Sequence, residues 1–172
     1  MALTYLRSRG LAAGVGGKVL QVVTATDSTE RSTSSTTFVT GSNTLSVSIT
    51  PSSTSSKIFV IVCATAAAEN TTQSYYTIYR GATNLGNSNG LFQSYGTGGT
   101  AQTNCALSYL DSPSSTSALT YQVYFRKASG GYNIFLNYGS TLSSITAFEL
   151  GRRKDLGRVM EWGLNSGSMR QR

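Results

Sequence analysis

Short runs of β-branched and aromatic residues recur along this chain, with turn-forming Gly, Asn, Ser and Pro between them. Such runs, spaced roughly ten residues apart, are typical of the strands of all-β domains. We predict strands at Val19–Thr26, Leu45–Ile49, Ile58–Cys63, Gln73–Tyr79, Leu91–Tyr95, Asn104–Leu110, Ala118–Arg126, Tyr132–Tyr138 and Thr146–Leu150. No convincing helix interrupts them, so the predicted fold is a two-sheet β-sandwich, jelly-roll-like or immunoglobulin-like. The length of 172 residues favours the jelly-roll-like form.

Two of the predicted strands carry opposite burial patterns. Apolar and polar residues alternate along Ala118–Arg126, which predicts one face in the core and one face outside. The core face of that strand would consist of Leu119, Tyr121, Val123 and Phe125. In contrast, Ile58–Cys63 is apolar at every position, which predicts a strand that is buried on both faces.

The charged residues divide the chain into three parts. Residues 1–18 contain three basic side chains and no acid, residues 19–150 contain five of each sign, and residues 151–172 contain six basic and two acidic side chains. All of the formal net charge of +7 therefore lies at the two ends. We predict a neutral sandwich domain at 18–150, with an extended N-terminal arm at 1–17 and an extended basic C-terminal arm at 151–172.

The two arms are the predicted partner-binding segments. A basic arm can contact phosphates or an acidic protein surface, but the neutral domain and the interleaved apolar residues favour protein over nucleic acid. Leu156, Val159 and Met160 have i, i+3, i+4 spacing, which predicts a short amphipathic helix that needs a surface to fold against. We expect Trp162 to be buried against a partner or a neighbouring subunit. The candidate contact residues are Arg7, Arg9, Arg152, Arg153, Lys154, Leu156, Arg158, Met160 and Trp162.

The composition limits catalysis and metal binding. The chain has no histidine, which excludes Ser-His-Asp catalysis and histidine-ligated zinc. Two cysteines cannot supply the four thiolates of a structural zinc or iron–sulfur site. Paired carboxylates could hydrolyse a glycosidic bond, but we expect the acids of the domain to be surface charges, with Glu149 paired to Arg80 or Arg126. We therefore expect no enzyme, no catalytic residue, no metal and no cofactor.

The two cysteines, Cys63 and Cys105, lie in different predicted strands. We expect buried free thiols in the core, although a disulfide between them stays open. The N-terminus is no clear secretory signal, and no apolar run approaches the about 18 residues that would span a membrane. A chain made and left in a host cytoplasm, without membrane insertion, is the expectation.

Aromatic and amide side chains suggest a second candidate surface. Five tyrosines could form a platform on which carbohydrate rings stack, or they could be core or subunit-interface packing: Tyr75, Tyr76, Tyr79, Tyr95 and Tyr109. The loops 84–90 and 96–100 would meet host glycans, and the first, which carries Asn84, Asn87 and Asn89, is the candidate host-contact loop.

Several stretches resemble a domain of tailed-bacteriophage virion proteins, especially those of phages that infect cyanobacteria and other aquatic bacteria. The resemblance covers about residues 17–150 and rests on fold signatures rather than catalytic motifs. The stretches are Gly17–Val23 (GKVLQVV), Leu45–Val62 (LSVSITPSSTSSKIFVIV), Tyr79–Ala82 (YRGA) and Ser144–Leu150.

This resemblance implies a β-sandwich, often trimeric, from a tail fibre, a head fibre or a capsid decoration protein. It implies binding to other virion proteins or to a host surface. Since this chain shows no shaft, repeat or coiled coil, we favour a capsid decoration (cement) protein, located in the virion and clamped across subunit junctions by its arms. The alternative is a tail, neck or head fibre module that binds host-surface glycans.

Overall fold

The computed structural model describes residues 17–128 and 131–152, which form two antiparallel β-sheets. This confirms the predicted all-β, two-sheet sandwich. The predicted arms lie outside the described residues, except for Gly17 at the start of the first strand and Gly151 and Arg152 at the end of the last. In 17–128 and 131–152 there is no helix with the length and apolar character needed to cross a membrane.

The strands have the following bounds in the described part of the chain: β1 Gly17–Asp27, β2 Arg31–Thr33, β3 Ser46–Ile49, β4 Lys57–Glu69, β5 Gln73–Arg80, β6 Thr83–Asn84, β7 Phe92–Tyr95, β8 Thr100–Asp111, β9 Leu119–Lys127, β10 Ile134–Leu136 and β11 Ser143–Arg152. A short 3-10 turn, Tyr138–Ser140, precedes β11. All nine predicted strands are present. The additional strands β2 and β6 have only three and two residues.

The long strand β4 organises the larger, six-stranded sheet. One of its edges pairs with β8, and the other edge pairs first with β11 and then with β10. The order across this sheet is β1-β11-β4-β10-β2, with β8 beside β4. The five-stranded sheet has the order β3-β9-β5-β6, and β7 also pairs with β5.

Four of the ladders are nested: β1 pairs with β11, β3 with β9, β4 with β8, and β5 with β7. In each pair an early strand meets a late one, and the pairs enclose one another along the sequence. A long hairpin rolled onto itself in this way gives two four-stranded sheets, which is the jelly-roll arrangement. The jelly-roll-like expectation is thereby confirmed in the strand order.

The core lies between the inner faces of the two sheets. It contains Tyr121, Val123 and Phe125, as the alternation in β9 predicts, with Leu119 packed against it. Tyr76 of β5 is fully buried and stacks on Phe125, with 6.0 Å between the ring centroids. Its hydroxyl donates to the carbonyl oxygen of Phe135 in the opposite sheet, at 2.6 Å. This bond satisfies the polar end of a side chain that crosses the core.

One burial prediction is wrong, and the difference matters for the surface of the molecule. The Ile58–Cys63 part of β4 is buried on one face only, because Phe59 and Ile61 are half-buried and Cys63 is exposed. Residues 64–68, farther along the same strand, are buried at every position. The tyrosine-rich β5 is also buried on both faces over most of its length, since every residue from Ser74 to Ile78 is buried. Its outer face is covered by neighbouring loops, whereas the outer face of β4 is not covered to the same extent.

The two ends of the sandwich differ in which segments they hold. Gly17 pairs with Arg152 at one end, so both predicted arms attach there, and we name this end the base. The loop 50–56 also lies at the base, between β3 and β4. The opposite end, which we name the tip, carries the turns after β4 and β7 and the 3-10 turn.

Candidate interaction surfaces

Two carboxylates lie in one row at the base, on the inner face of the six-stranded sheet. The register places Glu149 and Asp111 on either side of Ile58, and Gln21 beside Glu149. Both carboxylates are buried, with 1% and 6% of their surface exposed. Buried carboxylates require hydrogen-bond partners or counter-ions. Glu149 has neutral hydrogen-bond donors, whereas Asp111 has an arginine as its counter-ion.

Glu149 is held by hydroxyl, amide and backbone donors. Its Oε1 accepts hydrogen bonds from the backbone N–H of Ser52, from Ser52 Oγ and from Ser56 Oγ, each at 2.7 Å. Its Oε2 accepts from Gln21 Nε2 at 2.8 Å. Burial alone would raise the pKa of this carboxyl, but the four donors outweigh it and lower the pKa to about 2. The expected pairing of Glu149 with Arg80 or Arg126 is therefore wrong.

Asp111 connects the two sheets. Its two oxygens accept from Nη1 of Arg80 at 2.8 and 2.7 Å, and Oδ2 also accepts from the Tyr121 hydroxyl at 2.7 Å. Arg80 and Tyr121 belong to the five-stranded sheet, so this cluster closes the base from the other side. Asp111 is thus a buried structural anion, and the expectation that it lies on the surface is wrong.

A third buried carboxylate, Asp27, lies at the tip. It accepts from the backbone N–H groups of Thr29 and Thr44, at 2.8 and 2.9 Å. Burial would raise its pKa, but these bonds and the nearby Arg31 lower it. Asp27 therefore organises the loops around it, and the predicted solvated role is wrong for this residue too.

An apolar band crosses the outer face of the six-stranded sheet near the base. One row contains Val22 of β1, Phe148 of β11, Phe59 of β4 and Leu110 of β8, which are register partners. Val22 is 52% exposed and Leu110 is 49% exposed. The rings of Phe59 and Phe148 lie between them, with centroids 6.4 Å apart. We define the apolar band as these four residues together with the flanking Val19, Ile61 and Leu150.

The band lies next to the points where both predicted arms attach. Leu150 of the band is followed two residues later by Arg152, the last residue of β11. Of the predicted arm contacts, Arg152 alone belongs to a described strand. The other predicted arm contacts lie outside the described residues: Arg7, Arg9, Arg153, Lys154, Leu156, Arg158, Met160 and Trp162.

In the candidate host-contact loop, the side-chain amides of Asn84 and Asn87 make hydrogen bonds within the loop and to the adjoining strand β5. Asn84 Oδ1 accepts from Thr77 Oγ1 at 2.7 Å and from the backbone N–H of Gly86 at 2.9 Å. Asn87 Oδ1 accepts from the backbone N–H of Asn89 at 2.7 Å. Asn84 is half-buried, whereas Asn87 and Asn89 are exposed. Asn84 is therefore a structural residue of the loop, and the other two can meet a ligand.

The structure does not bring the five predicted tyrosines into one platform. Tyr76 is in the core, Tyr75 is buried on the outer side of β5, and Tyr95 is half exposed on β7. Tyr79 is the member that takes part in a partly exposed aromatic pair. It stacks on Tyr124 of β9 with 4.1 Å between the ring centroids.

Arg126 holds Phe38 and the loop that contains Ser88 against the outer face of the five-stranded sheet. Its guanidinium lies 5.1 Å from the Phe38 ring centroid and 4.5 Å from that of Tyr75. Its Nη2 donates to the carbonyl oxygen of Ser88 in the host-contact loop, at 2.6 Å. Sequence reasoning missed Arg126, Tyr124 and Phe38, although the alternation in β9 already places Tyr124 and Arg126 on its outer face.

The two cysteines lie on opposite faces of the six-stranded sheet. Cys105 pairs in register with Ala64, the neighbour of Cys63, so one thiol faces the core and the other faces outward. Both thiols are free, as expected, and Cys105 is buried, which raises its pKa. Cys63 is exposed, so the expectation that both are buried is wrong for this residue. In the described ranges no three His, Cys, Asp or Glu side chains cluster to hold a metal.

Comparisons with known proteins give a fold likeness. No protein-family model matches the chain, and no curated protein matches it. The chain is similar to T=1 particles derived from a mutant VP2 protein of infectious bursal disease virus, with 11% identity and a TM-score of 0.41, over 87% of this chain and 40% of that one. It is also similar to the VP2 subviral particle of the same virus, with 14% identity and a TM-score of 0.38, over 75% and 37%. The chain thus spans about two fifths of the length of these structures.

Proposed function

We propose that this chain is a structural protein of a virion, and specifically a capsid decoration protein that is held on the particle by its terminal arms. The observation that carries the proposal is the pairing of Gly17 with Arg152 in the β1–β11 ladder. Because of this pairing, both basic arms start from neighbouring points at the base. The base would face the particle, and the tip would face outward.

The base is built to hold those starting points in place. Glu149 bonds β11 to β1 through Gln21 and to the loop 50–56 through two serines. Asp111 bonds the two sheets together beside it. A rigid base loses little conformational freedom on docking, so more of the contact energy of the arms contributes to affinity.

Charge and repetition would supply the affinity. Arginines of the arms can donate paired hydrogen bonds to carboxylates on a capsid surface. A trimer, the oligomer we favour, would present three sets of arms at once and gain avidity without better individual contacts. The partners in this proposal are other virion proteins.

The resemblance to tailed-bacteriophage virion domains supports a viral role over the other uses of this fold. Jelly rolls occur in capsid proteins and in lectins, so the fold does not choose between them. We also propose that the chain is not an enzyme. The absence of histidine from the sequence supports this, and so do the hydrogen bonds that occupy the buried carboxylates of Glu149, Asp111 and Asp27 within the sandwich.

A fibre or adhesion module that binds host-surface glycans is the second candidate. It is favoured by the stacked pair of Tyr79 and Tyr124 on the outer face of the five-stranded sheet. Aromatic faces suit carbohydrate rings, and the exposed amides of Asn87 and Asn89 lie in the adjoining loop region. Loss of glycan binding in both Tyr124→Ala and Asn89→Ala would favour this candidate over decoration.

The decoration hypothesis is tested by adding purified protein to particles that lack it and measuring occupancy. We expect the combined change of Arg153, Lys154 and Arg158 to Gln to reduce occupancy strongly, and higher salt to weaken the wild type. The matched control is Lys57→Gln, which removes an exposed base cation outside the arms. Unchanged occupancy in the triple variant would contradict the proposed clamp.

A further inference from the structure

We propose that the apolar band is the docking surface for the chain's own C-terminal segment, residues 153–172. The starting point is the mismatch in β4. Its run Ile58–Cys63 has the composition of a strand buried on both faces, yet Phe59 and Ile61 are only half-buried. The same mismatch extends to Leu110 on the adjacent β8 and to Val22 on β1, which are both about half exposed. Contiguous exposed apolar side chains of this kind favour a covering segment or partner.

The size of the band suits a short helix. Its main row crosses four strands, which at about 4.8 Å per strand gives a width of about 15 Å. Along the strands it extends from Ile61 to Leu150, also about 15 Å. This area is far below the about 800 Å² per partner that a stable protein–protein interface buries, so a second copy would be held weakly. A helix about 10 Å in diameter fits it.

The connection favours the C-terminal segment over the N-terminal one. β11 itself supplies Phe148 and Leu150 to the band, and the segment begins directly after Arg152. The twenty residues that follow would measure about 30 Å as a helix, which leaves enough chain for a reversing turn and for crossing the band. The N-terminal segment instead joins β1 at the sheet edge, through Gly14, Gly16 and Gly17.

The residues of the segment match the band. On a helix, Leu156, Val159, Met160 and Trp162 lie within an arc of about 160°, which they share with Asp155 near one edge. Lys154, Arg158 and Glu161 fall on the opposite side. A helix this short is marginal in water, but covalent attachment beside an apolar surface gives it a high effective concentration there.

Docking in this orientation would direct the basic side of the segment outward, toward a partner. The inference concerns the isolated protein and does not rest on the proposed function. Failure to bind virions would leave it intact, and its own failure would leave arm-mediated binding intact.

Trp162 is the one tryptophan of the sequence, so its fluorescence reports on this segment directly. We expect the full chain to emit at shorter wavelength than the urea-denatured chain. Val22→Asp and Leu110→Asp should each shift the emission toward the denatured value, because both place a charge in the band. The matched control is Leu142→Asp, at a residue that is 74% exposed and outside the band. Equal emission in the folded and denatured wild type, or no response to either band variant, would overturn the proposal.

A second measurement leaves the band unchanged. Cys63 is exposed on the same outer face and Cys105 is buried, so a nitroxide reagent will attach at Cys63. In the NMR spectrum of the full chain, the indole N–H signal of Trp162 should lose most of its intensity relative to a diamagnetic label. Full intensity would contradict docking. Equal loss in a mixture of spin-labelled chains and separate isotope-labelled chains would show that a second copy supplies the segment, which would overturn the intramolecular proposal.

Discussion

Two loops of this sandwich are held in place by charges of opposite sign. The loop 50–56 at the base is held by the Glu149 carboxylate, which lies on the inner face of the six-stranded sheet and is 1% exposed. The loop 84–90 covers the outer side of the five-stranded sheet and is held by the Arg126 guanidinium. The Glu149 carboxylate is enclosed by hydrogen-bond donors, whereas the Arg126 guanidinium is half-buried between two aromatic rings.

The difference shows how each sheet closes its surface. Arg126 can fasten a cover over β5 because a guanidinium bonds carbonyl groups and stacks on rings without losing all contact with water. Glu149 makes the base rigid, but it covers nothing on the outer face of its own sheet. The apolar band therefore stays partly exposed on the outer face near the base, next to the points where the predicted arms attach.

The largest expected effect is that of Glu149→Ala. Removing the carboxylate leaves the Ser52 N–H and three side-chain donors without their acceptor, which should lower the free energy of unfolding by about 3–4 kcal/mol. Urea denaturation at neutral pH measures it. Glu30→Ala is the control, since Glu30 is exposed and should cost under about 1 kcal/mol. Equal effects of the two substitutions would contradict the role assigned to Glu149.

The stability of the wild type should also depend on pH through Glu149. Its folded pKa of about 2 lies below the ordinary value of 4.5, so its contribution is present above about pH 4.5 and is lost as the pH falls toward 2. A shift of this size corresponds to about 3 kcal/mol. Denaturation midpoints between pH 7 and pH 2 measure it, with Glu149→Gln as the reference that lacks this group. Parallel curves for the two proteins would contradict the prediction.

A smaller effect is expected for the other loop. Arg126→Ala removes two cation–π contacts and the hydrogen bond to Ser88. It should lower the free energy of unfolding by about 2 kcal/mol. Arg126→Lys keeps the charge but loses the planar fork, so it should recover less than half of that loss. Urea denaturation measures both variants, and limited proteolysis should cut the loop 84–90 more readily in Arg126→Ala. Full recovery by lysine would show that charge alone holds the loop.

The smallest effect is expected on the outer face of the six-stranded sheet. Cys63→Ser should change stability by less than about 0.5 kcal/mol, because the thiol is exposed. Cys63 should react with a thiol reagent in the native protein, and Cys105 should react only after unfolding. Thiol counting before and after denaturation measures this. Two reactive thiols in the native state would contradict the face assignment.

The fold was predictable from local patterns, and the site was predictable only in part. Alternation identified the buried face of β9, but β2 and β6 are too short to carry a pattern. The bonds between Glu149 and Ser52 join residues 97 positions apart, and no local signal announces them.

Burial of the outer face of β5, and partial exposure of the outer face of Ile58–Cys63 in β4, could not be predicted for a related reason. The cover over β5 comes from Phe38 and the loop 84–90, which belong to distant parts of the chain. Hydrophobicity of a strand indicates that its faces need a cover, but it does not say which segment supplies it. The apolar run Ile58–Cys63 therefore predicts that both of its faces are covered, but the described strands and loops cover its outer face only in part.

The most direct test of the central claim is the position and copy number of this protein in an intact virion. Quantitative mass spectrometry of purified particles, together with density maps of the head, measures both. A decoration protein should be present in hundreds of copies, with the base and its arms against the capsid lattice. A few copies confined to a tail or neck, or absence from the particle, would contradict the account.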